Sequence, residues 1–235
     1  MADPTPITTA DETARRALSA RGEQARKKLK RAALKVLERV GYHRMRITDV
    51  TQEAGVAAGL FYHYFPDLKS LTLEVLSDFV AESRKLESIQ KDIPKGGWYE
   101  RIHAHNLIVV KSYAQRPGLM RCLLQLADEE QEFSALLRES FIEQLNWLVR
   151  LMPGMFPQAG LSTQQALMVV YTLACSSEGI LRDYYINREP ALTASGLATE
   201  EVAELLSVMF YRGLFLQHPP VEKLKYTANL QFLSR

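Results

Sequence analysis

Apolar residues recur along this chain at intervals of three and four, and nowhere alternate with polar ones at the period of two that a strand requires. The spacing predicts an all-α protein. Leu29, Ala33, Val36, Leu37 and Val40 form one stripe on a helix expected over Glu23–Val40, which Gly41 closes. A short helix around Val50 and Ala54, a turn at Gly55 and a second short helix carrying Phe61 and Phe65 follow. A fourth helix starts after Pro66-Asp67 and runs to about Gln90, with Leu68, Leu71, Val75, Phe79 and Leu86 on one side. Beyond it, prolines at 94, 117, 153, 157, 190, 219 and 220 bound further helical segments. Their stripes are Trp98, Ile102, Val109 and Tyr113; Leu119 to Ala127; Phe133, Leu137, Phe141, Leu145 and Leu148; Ala166, Val169, Val170, Leu173, Ile180 and Tyr184 within 163–187; and Val202 to Leu214. A short tail helix is expected from Val221 to Leu233.

Three regions follow from this pattern. Residues 1–20 are small and polar and read as a disordered arm, 21–68 as a helix-turn-helix head, and 69–235 as a larger helical bundle. In the head, Val50 and Ala54 share a face, Gly55 supplies the freedom a sharp helix end needs, and Val56 is the apolar plug after the turn. Phe61 and Phe65 turn inward, which leaves Ala57, Ala58, Gly59, Tyr62 and His63 outside, on the helix that would enter a major groove.

The run AGVAAGLFYHYF, with Asp49-Val50 before it and Asp67 to Leu71 after it, resembles the DNA-binding signature of the tetracycline-repressor (TetR) family. The resemblance rests on Asp49-Val50, Ala54-Gly55-Val56, Gly59, Phe61-Tyr62, Phe65 and Leu71. It departs from the family pattern at Met45-Arg46, where a pair of threonines is usual, and at Ala57, Ala58 and Leu60, where hydroxyl or basic side chains are usual. Thr48 is then the candidate cap of the first motif helix. The resemblance implies a cytoplasmic homodimer that binds a near-palindromic double-stranded operator through the head and a small-molecule effector through the bundle. Carried onto this chain, the DNA-facing set is Arg46, Thr48, Ala57, Ala58, Gly59, Leu60, Tyr62, His63 and Lys69. Ala57, Ala58 and Leu60 have no hydrogen-bonding groups, so they predict contact with thymine methyls, with more of the readout left to Arg46, Thr48 and DNA shape.

Charge supports that reading through its distribution. The chain carries only +2 overall, but residues 21–46 hold ten Lys or Arg against two Glu, a local +8 that leaves −6 for the rest. With 47% apolar and 24% charged residues the chain has the makings of an ordinary core, and no apolar run approaches a membrane span. The N-terminal residues lack the layout of a secretory signal.

No reactive constellation appears, so neither an enzyme nor a cofactor is expected: there is no phosphate-binding glycine loop, no paired Cys-x-x-Cys and no serine flanked by glycines. Cys122 and Cys175 read as reduced thiols. His103 and His105 diverge by about 200° on a helix and predict no metal site. His105 lies on an apolar stripe, as a core histidine or as a polar group in a ligand pocket. Glu178 and Arg182 read either as an i,i+4 pair or as ligand anchors. Large side chains with polar tips point to an internal effector cavity lined by His105, Tyr113, Trp147 and Tyr171, accepting a largely apolar or aromatic molecule. The small residues Cys175, Ser176, Ser177 and Gly179, with Tyr211 to Phe215 on the next helix, suit a dimer seam or the close approach of a bulky neighbour in the same chain. A reading of another class is a helical small-molecule carrier or enzyme whose head no longer binds DNA.

Overall fold

The computed structural model describes residues 9–83 and 92–233, and among these every regular element is a helix. The chain divides into two compact units, residues 1–76 and 77–235. The division falls inside a helix, eight residues beyond the boundary expected at Leu68.

In the first unit, α1 covers Thr9–Val40, α2 Ile47–Ala54, α3 Ala58–Tyr64, and α4 Leu68–Ser83 crosses the division. The stretch expected to be a disordered arm is therefore helical from Thr9 onward. Its alanines, arginines and early Asp11-Glu12 are favourable for a helix and for a helix N-terminus, a local preference that outweighs the polar composition. Leu29, Ala33, Val36, Leu37, Val50, Phe61, Phe65 and Leu71 are all fully or almost fully buried and form the core of this unit. Gly55 adopts φ 65°, and its N–H donates to Gln52 O at 3.1 Å while Val56 N donates to Thr51 O at 3.0 Å. That left-handed residue ends α2 and turns the chain into α3. Leu86 and the expected end of the fourth helix lie outside the described residues.

The second unit contains α5 Trp98–Gln115, α6 Pro117–Glu129, α7 Gln131–Met155, α8 Thr163–Leu181 with a π-helical continuation over Arg182–Asn187, the single turn α9 Pro190–Thr193, and α10 Thr199–Phe215. Pro117 and Pro190 stand in the first turn of α6 and α9, where the missing N–H costs nothing. Pro153, expected to bound a helix, instead sits within the last turn of α7, where its missing N–H forgoes one intrahelical bond and the helix ends two residues later. The predicted tail helix is two 3₁₀ segments, Val221–Lys223 and Ala228–Leu233. Buried Glu204 of α10 anchors this tail by accepting N–H bonds from Lys225, Tyr226 and Thr227 at 2.7–2.8 Å, and the Thr227 hydroxyl at 2.8 Å.

α5 packs chiefly on α10. Its buried seam runs Tyr99, Ile102, Asn106, Val110 and Tyr113, one position along from the apolar stripe at Trp98 and Val109. Asn106 enters because its amide donates to Ser207 Oγ on α10 at 3.1 Å. Two apolar clusters result. Ile102, Leu145, Leu148, Val170 and Phe210 belong to one, and Val110, Tyr113, Leu181, Val202 and Leu206 to the other. Val169 and Ile180 of α8, expected in the core, are instead exposed.

Candidate nucleic-acid interface and internal cavity

The head presents its candidate DNA contacts at the ends of two short helices. Arg46 occupies the N-cap of α2 with extended backbone, and its N–H donates to the Asp49 carboxylate at 2.9 Å. Thr48, the candidate cap in the sequence, is instead the second residue of the helix, and its carbonyl accepts the Thr51 hydroxyl at 3.2 Å. The cap is supplied by Asp49 reaching back, so the Arg46 and Thr48 side chains are both left exposed.

α3 is held from behind by Phe61 and Phe65, whose ring centroids lie 6.0 Å apart. Burying each contributes about 2–3 kcal/mol, enough to fix the helix against its unit. Ala57, Ala58, Gly59, Tyr62 and His63 are exposed on the other side, Tyr62 to 63%. Leu60 is half-buried, as is Lys69 near the start of α4. A Cβ placed on Gly59 would meet nothing within 4 Å, so packing inside the chain does not require glycine there. The cationic surface is thinned by internal ion pairs. Lys35 and Arg39 approach Glu53 at 2.9 and 3.7 Å, while Arg26 and Lys30 approach Glu74. Lys27, Lys28, Arg31, Arg44 and Arg46 remain at the surface.

In the second unit, two small voids lie where the two apolar clusters meet. One of ≈ 20 Å³ is bordered by His105, Asn106, Leu206 and Phe210, the other of ≈ 70 Å³ by Phe79, Ser112, Tyr113 and Ser140. Val109, Phe141, Gln144 and Glu178 border both. His105 and Trp147, with ring centroids 6.4 Å apart, also border a third void of ≈ 10 Å³. His105 is half-buried, and its Nδ1 is buried with no hydrogen-bond partner. Burial lowers its pKa to about 4, so the ring is neutral at physiological pH.

Glu178, which the sequence offered as half of a pair with Arg182 or as a ligand anchor, borders both voids. Its carboxyl faces both voids and accepts the Tyr113 hydroxyl, and burial raises its pKa above the usual carboxylate range. Arg182, one turn on, is exposed and borders a surface cleft with Arg121 and Asp128. Of the expected set, His105 borders the smaller of the first two voids and Tyr113 the larger, while Trp147 shares only the ≈ 10 Å³ void with His105. Tyr171 falls outside them: the ring is 39% exposed and packs edge-on behind Phe141, with centroids 5.0 Å apart.

Residues 29–75 match the family described as bacterial regulatory proteins, tetR family. The HTH-type transcriptional regulator BetI of Vibrio vulnificus is 32% identical over 84 residues, which is 34% of this chain and 40% of that protein. BetI of Vibrio parahaemolyticus is 24% identical over 156 residues, 65% of this chain and 76% of its own length. The chain therefore spans about two fifths of the first of these relatives. Among solved structures, the fatty acid degradation regulator FadR from Bacillus halodurans aligns with TM-score 0.62 at 16% identity, over 83% of this chain and 97% of that one. A transcriptional regulator from Rhodococcus aligns with TM-score 0.59 at 17% identity, over 80% and 96%. At such identities the structures speak to the fold, and the sequence match speaks to the head. Over its N-terminal helices, this chain is similar to the tetR family of bacterial regulatory proteins.

Proposed function

We propose that the protein is a homodimeric, sequence-specific DNA-binding transcriptional regulator, a repressor released from a palindromic operator by a small, largely apolar or aromatic effector. The observation that carries the DNA-binding part is the exposed end of α3. Ala57, Ala58 and Gly59 stand bare of bulk on a helix whose other side is locked down by Phe61 and Phe65. A helix so placed can bring its backbone close to a groove, with Tyr62, His63, Arg46, Thr48 and Lys69 around it for phosphate and base contacts.

Effector control is supported by the voids between these helices and their few polar groups. In this reading the signal passes along α4, one continuous helix whose Phe79 and Val80 border the larger void and whose first turns belong to the head. A ligand shifts the head only if it favours one setting of that helix over the other. The dimer is supported by α8, which exposes Met168, Val169, Tyr171 and Ile180 beside small Cys175, Ser176 and Gly179. A gel-shift with DNA flanking the protein's own gene is the test. Salt-sensitive binding to one short inverted repeat is expected, and an absence of binding to any flanking fragment would sink the reading.

A further inference from the structure

The voids of the second unit specify more about their ligand than apolarity. We propose that the effector carries a protonated amine, received by the Glu178 carboxylate, with its apolar or aromatic body against Phe141, Phe79 and Phe210.

The argument starts from what borders the space. Among the described residues, Glu178 is the one acidic side chain on either of these two voids, and no lysine or arginine borders them. His105 is neutral, and its buried Nδ1 offers a lone pair, not a charge. Gln144 borders both voids, Ser140 the larger and Asn106 the smaller. A carboxyl group held in such surroundings is costly unless a donor meets it, and the Tyr113 hydroxyl supplies one hydrogen bond where a carboxylate accepts several. Burial raises the pKa of Glu178 despite the lowering effects of the Tyr113 hydroxyl and of Arg182, which is itself exposed, so the charged form is poorly compensated in this space. A ligand ammonium supplies both the charge and the missing N–H donors. Phe141, Phe79 and Phe210 add ring faces that attract a cation and exclude water. A carboxylate ligand would meet like charge at Glu178, and a neutral one would not stabilise its charged form as an ammonium does.

The voids are small as they stand, so the ligand enters by displacing side chains such as Phe141, which forms a wall of both. The inference rests on the reading of this space as the effector site, and the test separates the two. Benzylamine, benzyl alcohol and benzoate share a ring and a size but differ in charge. Titrated calorimetrically into the full-length protein at neutral pH, benzylamine should bind about tenfold or more tighter than benzyl alcohol, with benzoate the weakest. In Glu178→Gln, which keeps the shape and an acceptor for Tyr113, the amine and the alcohol should come within about twofold of each other. Equal or tighter binding of the alcohol to the wild-type protein would overturn the amine while leaving the effector site standing. So would an amine preference that survives Glu178→Gln. If none of the three binds up to millimolar concentration, both the amine and the effector site fall. The ranking on the wild-type protein decides the matter even if the variant does not fold.

Discussion

Gly213 of α10 lies so close to Leu173 of α8 that a Cβ on the glycine would sit 2.6 Å from Leu173 Cδ2. The small residue at this point of the tail end of α10 therefore serves contact between two helices of the same chain. Gly179, on the same long helix as Leu173, is different: a Cβ there would meet nothing within 4 Å.

Gly213→Ala should lower stability by about 1–2 kcal/mol, because overpacking outweighs the gain in helix propensity. Leu173→Ala in the same chain should recover much of that loss, since the space it vacates is where the new methyl goes. Urea unfolding of the two single variants and the double variant measures the coupling. Additive losses would show that the two residues do not compete for the same space.

Met168 and Ile180 are 63% and 40% exposed on α8. If this face joins two copies, Met168→Glu together with Ile180→Glu should weaken self-association at least tenfold, because each buries a charge without a partner. Sedimentation velocity across a concentration series reads the result, and circular dichroism should show unchanged helix content. A variant that associates like the parent would move the interface elsewhere.

Tyr62→Phe should weaken DNA binding by about 1 kcal/mol, the worth of one hydrogen bond, and by a similar factor for every sequence. Tyr62 is 63% exposed, so the change should leave the fold untouched. Titrations over a salt series separate this outcome from a change in specificity. Unchanged affinity throughout would remove Tyr62 from the interface.

His105 predicts an acid-sensitive core. Burial lowers its pKa from 6.5 to about 4, so on acidification the unfolded chain takes up the proton first. Between those values the unfolded state holds more protons, and stability rises with pH. The contribution is complete above about pH 6.5 and is lost as pH falls to about 4, a span of about 3 kcal/mol. Glu178, with its raised pKa, works in the opposite direction, and is common to both proteins when wild type is compared with His105→Gln. The variant should show the shallower loss of stability between neutral pH and pH 4 in urea titrations. A parallel loss would assign the acid sensitivity to other groups.

The head was legible in the sequence because its determinants are local. Val50, Gly55, Phe61 and Phe65 act within one or two helical turns of each other, so spacing alone told which side faced inward and where the chain turned. The all-α class followed from the same period. What local pattern could not decide was any choice made by a partner far along the chain. Asn106 displaced its apolar neighbours from the seam of α5 because Ser207, on another helix, could satisfy its amide. Val169 and Ile180 were left outside because the two clusters were already filled by Val170, Ala174 and Leu181. Glu178 read first as half of a pair with Arg182, until α5 brought the Tyr113 hydroxyl to its carboxyl. Periodicity records how apolar each position is. Which buried polar group finds a donor, and where the side chains fail to fill the space between helices, are set only when distant segments meet.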